Sequence, residues 1–186
     1  MTECDKCRPK IIAKKIIYKI PSNDICIAPF RYDGRVRNAI LEFKFNGVRF
    51  NAKSLSERMT EILREYVGSF DIVTCVPVSK QRMRERGFNQ SKDLAKGIAL
   101  LLGKSCCDTL KKTKNNKVQH MLDKSQRQEN VIGVYSAINT DKFIGKRILL
   151  VDDICTTGNT LAECCRVLYA AGAAFVLCAA IAVSYE

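Results

Sequence analysis

The sequence predicts an α/β domain, built as a parallel sheet flanked by helices, with a short cysteine-containing element before it. Near-continuous apolar runs recur along the chain and alternate with stretches of helical periodicity, a pattern typical of strands buried on both faces in βαβ units. The 186 residues suffice for one domain with a sizeable core. We therefore expect one hydrophobic core.

The first residues differ in composition from the rest of the chain. Cys4 and Cys7 form a Cys-x2-Cys pair, and a basic apolar tract follows it up to the turn-like "PSN". We take residues 1–25 as an N-terminal segment and residues 26–186 as the domain. The domain opens with a predicted strand in "ICIAPFRY" and a predicted helix in "GRVRNAILEFKF".

The middle and end of the chain complete the alternation. Apolar residues at helical spacing predict a helix over 52–66, and "FDIVTCVPV" predicts a strand ended by Pro77. A second amphipathic helix is predicted in "GFNQSKDLAKGIALLLG". Residues 111–130 are polar and basic with little periodicity, which predicts a long loop. A strand over 148–151, a helix in "TLAECCRVLYAAGA" and a last strand in "AFVLCAAIAV" follow.

Composition limits the class of protein. A formal net charge of +12 favours polyanionic partners, either nucleic acid or phosphorylated metabolites. The start of the chain lacks the apolar core of a signal peptide, and no apolar run has the roughly 18 residues of a membrane span. We expect a cytoplasmic protein whose ten cysteines are reduced, which argues against a disulfide framework.

Two adjacent acids, Asp152 and Asp153, stand where the strand over 148–151 is expected to end. Ligands bind at the carboxyl ends of strands in open α/β sheets. The following "TTGNT" leads into a helix, whose first N–H groups suit an anion. Carboxylates accept hydrogen bonds from sugar hydroxyls, so the pattern predicts a sugar-phosphate site. The alternative is an ordinary strand-to-helix turn, with Thr160 as the helix cap and Glu163 completing a capping box.

The stretch "ILLVDDICTTGNTL" resembles the phosphoribosyl pyrophosphate (PRPP) motif of type I phosphoribosyltransferases. The resemblance implies the fold of that class and gives Asp152 and Asp153 the catalytic position, where they hold the ribose hydroxyls. It also implies that the loop after them wraps the 5′-phosphate. The residues of that loop are Thr156, Thr157, Gly158, Asn159 and Thr160.

Three further stretches, "FRYDGRVRNAILEFKFNG", "VPVSKQRMRERGFNQ" and "TKNNKVQHMLDKSQRQENVIGVY", resemble the ComF family of phosphoribosyltransferase-like proteins associated with competence and DNA uptake. The resemblance implies a pyrophosphate loop and a mobile loop that closes over the site. Arginines at every second position offer donor forks for phosphate oxygens, and a solvated basic turn is the alternative. The implied pyrophosphate-loop residues are Val78, Ser79, Lys80, Arg82, Arg84 and Arg86, and the implied mobile-loop residues are Lys112, Lys114 and Arg127.

The resemblance implies a protein that binds PRPP or a related ribose phosphate with Mg²⁺, and that can transfer the phosphoribosyl group to a base. The alternative is a non-catalytic accessory factor that binds single-stranded DNA during uptake, with a competence helicase as a further partner. A metal-dependent phosphohydrolase is a weaker third reading, because such sites usually draw carboxylates from several strand ends.

The resemblance also implies an N-terminal zinc element built from two Cys-x2-Cys pairs. This sequence has one such pair, Cys4 and Cys7, and Cys26 is the candidate for a third ligand. A structural zinc site normally has four ligands. We therefore expect no tightly bound zinc.

Overall fold

The computed structural model of the protein describes residues 13–34, 36–38, 40, 49–113 and 132–184. The described strands are β1 (Ile16–Lys19), β2 (Ile25–Ala28), β3 (Phe30–Arg31), β4 (Ile72–Cys75), β5 (Ser105–Cys106), β6 (Leu110–Lys112), β7 (Tyr135–Ala137), β8 (Arg147–Cys155) and β9 (Phe175–Val183). The helices used below are α1 (Arg49–Leu63), α2 (Lys80–Arg86), α3 (Gln90–Leu102) and α4 (Asn159–Ala170). Short 3₁₀ segments lie at Arg64–Ser69 and Thr140–Lys142.

The predicted α/β fold with a mostly parallel sheet is confirmed. Seven strands form one sheet in the order β1-β2-β9-β8-β4-β5, and β3 also pairs with β9. All these pairs are parallel except β1 with β2. β6 and β7 form a separate antiparallel ribbon that the sequence pattern did not predict.

Helices cover both faces of β8, which explains its continuous apolar run. Leu150 packs in the cluster that contains Leu161 and Leu168 of α4. Leu149 and Val151 pack in the other cluster, with side chains of α1 and α3. All three β8 side chains are 0% exposed, because successive residues of a strand face opposite sides of the sheet.

Several predicted boundaries were wrong. The strand predicted over 148–151 runs from Arg147 to Cys155, so both acids lie inside it. The single strand expected in "ICIAPFRY" is two short strands, β2 and β3, separated at Pro29. Residues 111 and 112 belong to β6 and not to a loop, while residues 114–131 lie outside the described residues. The helix predicted in "GRVRNAILEFKF" also falls largely outside them.

The end of the predicted N-terminal segment is part of the main sheet. β1 pairs with β2 in antiparallel register, from Ile16 opposite Ala28 to Lys19 opposite Ile25. Ile20, the next residue, is 2% exposed and belongs to the core cluster on the α4 face. The boundary at residue 25 stays a prediction. In the described part of the chain, no helix is long and apolar enough to cross a membrane.

Candidate functional site

The acid pair lies where β8 extends beyond its neighbour β4. The last paired residues are Cys75 and Val151, and Val76 N–H donates to the Val151 carbonyl at 2.9 Å. Pro77 follows and has no N–H for the ladder. β9 continues alongside β8, with Ala180 opposite Asp152. The acids therefore stand at the carboxyl edge of the sheet, on a strand that is paired on one side only among the described strands.

Local hydrogen bonds orient both carboxylates, which are half-buried. Asp152 Oδ1 accepts from the backbone N–H of Asp153 at 2.8 Å and from the Ser91 hydroxyl at 2.9 Å. Asp153 Oδ1 accepts from the backbone N–H of Ile154 at 2.7 Å. Two of these three donors belong to the chain segment immediately after each acid.

The small-residue loop leads directly into α4, as predicted. Gly158 has φ 75° and is the residue before the helix, which begins at Asn159. A Cβ on Gly158 would lie 2.8 Å from Ile20 Cγ2, so glycine is required both for the left-handed backbone and for the packing of the N-terminal strand region. The loop residues Thr156, Thr157, Asn159 and Thr160 are half-buried.

The alternative interpretation of this turn, with Thr160 as the helix cap, is wrong. Thr160 is the second residue of α4 and not its cap, and Gly158 in the cap position has no side chain to satisfy the first N–H groups. Glu163 forms no capping box. Its Oε1 accepts from the Gly133 N–H at 2.8 Å, and its carboxylate pairs with Arg166. The open N-terminus of α4 keeps its donors and dipole directed toward the turn after the acids.

The arginines predicted in a loop lie on the short helix α2. The Ser79 hydroxyl caps it by accepting from the Arg82 N–H at 3.2 Å, and Gly87, at φ 75°, ends it. In a helix, residues four apart share one side. Arg82 and Arg86 therefore project together, and Arg84, two positions from each, projects away from them.

Electrostatic interactions indicate that Arg86, on this side of α2, lies near Asp153. Burial lowers the pKa of the Arg86 guanidinium, nearby Arg82 lowers it further, and Asp153 opposes both effects. Burial, followed by Arg82, lowers the pKa of Lys112 to about 8, while Cys164 and Asp152 act in the opposite direction. Arg86 thus interacts electrostatically with Arg82 and Asp153, and Lys112 with Arg82 and Asp152.

Lys112 enters the site from β6. Its Nζ lies 5.5 Å from the ring centre of Tyr135 on β7, a residue that is 6% exposed and whose pKa burial raises. The predicted mobile-loop residues Lys114 and Arg127 lie outside the described residues. In the pyrophosphate-loop segment, Val78 is half-buried and Lys80 and Arg84 are exposed.

Sequence reasoning missed two residues that connect the segments. Asn89 caps α3 by accepting from the Lys92 N–H at 3.4 Å, and its Nδ2 donates to the Val76 carbonyl at 3.1 Å. Ser91 donates to Asp152. The run "GFNQ" opens the second predicted amphipathic helix, and an Asn before a helical stretch is a capping signal. Nothing local indicates that the next serine reaches an acid 61 positions away.

Of the three candidate zinc ligands, only Cys26 lies in the described part of the chain. Cys4 and Cys7 lie outside the described residues. Cys26 is 0% exposed in β2, and a hydrogen bond with the Cys155 thiol, together with burial, raises its pKa well above the ordinary value. Within the described ranges, no three His, Cys, Asp or Glu side chains are grouped to hold a metal. The expected absence of tightly bound zinc stays a prediction.

Comparison with known proteins defines the class. The family model of the phosphoribosyl transferase domain matches residues 56–186, and the chain belongs to that family. The predicted ComF resemblance is confirmed by relatives of that kind. The chain is 30% identical over 146 residues to competence protein ComFC of Streptococcus pneumoniae (strain ATCC BAA-255 / R6), covering 78% of this chain and 62% of that protein.

A second relative is the DNA utilization protein YhgH of Salmonella typhi, 33% identical over 109 residues, which are 57% of this chain and 46% of that protein. The chain thus spans less than two thirds of the length of either relative. A solved structure titled as the allosteric regulatory enzyme of purine biosynthesis is similar at a TM-score of 0.48 and 26% identity, over 70% of this chain and 25% of that one.

Proposed function

We propose that the carboxyl edge of the sheet binds PRPP or a related ribose phosphate. The observation that supports this most directly is that acidic side chains and anion-binding groups lie together at this edge. Two carboxylates, Asp152 and Asp153, stand beside the open N-terminus of α4 and within electrostatic reach of cationic side chains. A ligand with both hydroxyls and phosphates uses all of these groups, whereas a plain anion would be repelled by the acids.

Each part of the ligand has a matching part of the site. Ribose hydroxyls donate to the carboxylates of Asp152 and Asp153, which are charged acceptors. The 5′-phosphate accepts from the backbone N–H groups and hydroxyls of the turn before α4. The pyrophosphate lies toward Arg82, Arg86 and Lys112, whose positive charges offset its negative charge.

The donor set also fits Mg²⁺. Carboxylate oxygens are the ligands that Mg²⁺ prefers, usually one or two per site, together with phosphate oxygens and water. Asp152 and Asp153 supply such oxygens, and a bound PRPP supplies hydroxyl and phosphate oxygens. When bound, the ion would offset charge on the pyrophosphate.

Transfer to a base would proceed as a displacement at the anomeric carbon. The bond from that carbon to the pyrophosphate oxygen breaks, the pyrophosphate leaves with the electron pair, and a nitrogen of the base forms the new bond while its proton passes to water. Arg82, Arg86 and Lys112 stabilise the negative charge that develops on the leaving oxygen. Asp152 and Asp153 hold the ribose so that its anomeric carbon faces the acceptor.

Two measurements test the proposal separately. Isothermal titration calorimetry with PRPP and Mg²⁺ tests binding, and we expect saturable one-site binding. A pyrophosphate-release assay with a panel of purine and pyrimidine bases tests transfer. Release that depends on one base establishes the enzyme, binding without release supports a non-catalytic ribose-phosphate protein, and the absence of both contradicts the proposal.

Binding of single-stranded DNA is a second candidate function. The net charge of +12 favours it, and two relatives are named as a competence protein and a DNA utilization protein. Backbone contacts by Lys and Arg release counterions, so we expect affinity for an oligonucleotide to fall steeply as salt rises. Fluorescence anisotropy between 50 and 200 mM salt, a range in which such affinities change by orders of magnitude, measures this. No binding at low salt would contradict it.

A further inference from the structure

The hydroxyl of Ser91 donates a hydrogen bond to an acidic residue of the site. The side chain lies in the first turn of α3, the residue is 3% exposed, and Oγ donates to Asp152 Oδ1 at 2.9 Å. The two residues come from different elements, α3 and β8. A buried hydroxyl that donates to a carboxylate makes a charge-assisted hydrogen bond, which is stronger than one between neutral groups.

A second buried serine shows that burial alone does not force a serine hydroxyl to donate to a carboxylate. Ser56, on α1, is 1% exposed and donates to the carbonyl of Ala52 in its own helix at 2.7 Å. That is the ordinary partner of a serine inside a helix. Ser91 is the second residue of α3, so the residue four positions earlier, Gly87, lies before the helix. The hydroxyl of Ser91 is therefore available for a partner outside α3.

The first turn of α3 is fixed relative to the sheet at this point. Asn89 donates to the Val76 carbonyl at 3.1 Å, just beyond the end of β4. Gln90 is 1% exposed. Because β4 stops pairing with β8 at Val151, the turn of α3 stands beside Asp152 where a strand neighbour is missing. This turn thus holds Ser91 within hydrogen-bonding distance of Asp152.

The consequence for Asp152 is a carboxylate with a defined orientation. Oδ1 accepts from both Ser91 and the N–H of Asp153, and two donors from different directions fix the side-chain torsion. Asp153 has a different arrangement, since its Oδ1 accepts from the adjacent N–H of Ile154. A carboxylate held in place loses less conformational entropy when it binds a hydroxyl.

We propose that Ser91 is a positioning residue that orients Asp152 for binding ribose hydroxyls. The inference rests on the proposed function, because it concerns the same site. Ser91 does not itself touch the ligand. Its contribution is therefore transmitted entirely through Asp152, and this distinguishes it from a residue that only stabilises the fold.

Calorimetry with PRPP and Mg²⁺ tests the inference by a double-mutant cycle. We expect Ser91→Ala to weaken binding about 5- to 20-fold, in line with the loss of one hydrogen bond to a charged group. In the Asp152→Asn background the same change should have almost no effect, since coupled residues are not additive. Ser56→Ala is the matched control and should leave affinity unchanged. Ser91→Thr, which keeps the hydroxyl, should retain most of the affinity wherever its melting temperature matches the wild type.

A second measurement does not need the ligand. Three-bond NMR couplings to the Asp152 carboxyl carbon, which report its χ1 torsion, should indicate one dominant rotamer in the wild type and in Ser56→Ala, and a changed rotamer distribution in Ser91→Ala. Equal couplings in the wild type and Ser91→Ala would overturn the inference, as would a wild-type affinity in Ser91→Ala or additive effects of the two changes in the cycle. Failure of the wild type to bind PRPP contradicts the proposed function instead, and the NMR comparison then still decides whether Ser91 controls Asp152.

Discussion

The site joins two segments that are built in different ways. The acid segment, residues 152–160, is organised mainly by its own backbone, since Asp153 and Ile154 N–H groups orient the two carboxylates and the turn passes straight into α4. Ser91 adds one distant donor to Asp152. The arginine segment, residues 78–91, is organised by contacts with distant parts of the chain. Its first helix carries the arginines, and its second is held to the end of β4 and to Asp152.

The difference indicates how each segment should respond to mutation. In the acid segment, the proposed ligand would contact the charges and backbone groups directly, so single changes should have large effects on its binding. In the arginine segment, contact with the proposed ligand would depend on which side of α2 an arginine occupies. The same substitution should therefore have different effects on ligand binding at Arg82, Arg84 and Arg86. The four predictions below test this comparison, from the largest expected effect to the smallest.

The double change Asp152→Asn and Asp153→Asn should abolish measurable PRPP binding. Each charged acceptor contributes about 1.5–3 kcal/mol, or roughly 10- to 150-fold in affinity. Thermal stability should stay level or rise, because two adjacent like charges are removed. Calorimetry and a thermal melt measure the two quantities. Unchanged affinity would show that the acids do not hold the sugar, and a collapsed fold would give them a structural role.

Gly158→Ala should destabilise the protein more than Gly103→Ala. Both glycines have positive φ, 75° and 64°, and an alanine there costs roughly 1–2 kcal/mol. At Gly158 the new Cβ also meets Ile20 Cγ2 at 2.8 Å, whereas nothing lies within 4 Å at Gly103. Urea unfolding measures the difference between the two losses of stability. Equal losses at both glycines would contradict the packing of Ile20 on the acid segment.

Arg86→Ala should weaken PRPP binding about 10-fold, as expected for loss of one charged hydrogen-bond donor. Arg84→Ala, the matched control, should change affinity less than about 2-fold, because exposed charges outside a site contribute little. Both changes remove one positive charge, so both should weaken DNA binding to a similar extent. Equal effects of the two variants on PRPP would mean that α2 does not present one side to the acids.

Affinity for PRPP should decline by about 2- to 5-fold as pH rises through about 8, a small effect typical of one partly exposed charge. Burial lowers the pKa of Lys112 to about 8. Below that pH the ammonium is charged and attracts phosphate, and above it the charge is lost. Lys112→Met should remove this pH dependence. Lys111→Met, which alters the exposed neighbour on β6, should keep it.

Much of the acid segment could be predicted because its information is local. Asp152 and Asp153 beside a run of small hydroxyl residues indicate a ligand for which neighbouring backbone groups supply most of the contacts. The parallel sheet was predictable for a similar reason, since strands buried on both faces have continuous apolar runs. The end of β8 was not predictable, because strand pairing past Val151 depends on β9 and not on the acids themselves.

The arginine segment was only partly predictable. Arginines at alternate positions suit phosphate in a loop, but the capping hydroxyl of Ser79 and the turn at Gly87 enclose a helix, which separates Arg84 from the other two. The alternative of Thr160 as a helix cap failed because the helix starts at Asn159, two residues earlier than a cap at Thr160 requires. Both errors concern the position of a helix boundary, which determines which side chains lie on the same side of the helix.

By itself, the sequence determined the fold class, the position of the acid pair and the small-residue loop that leads into α4, because hydrophobic periodicity and local backbone chemistry carry that information over a few neighbouring residues. Only the tertiary structure decided that Ser91 donates to Asp152, that Arg86 and Lys112 approach the acids, and that Ile20 fills the space beside Gly158. These pairs are far apart along the chain. Their contacts arise from strand order and helix packing, which no local pattern specifies.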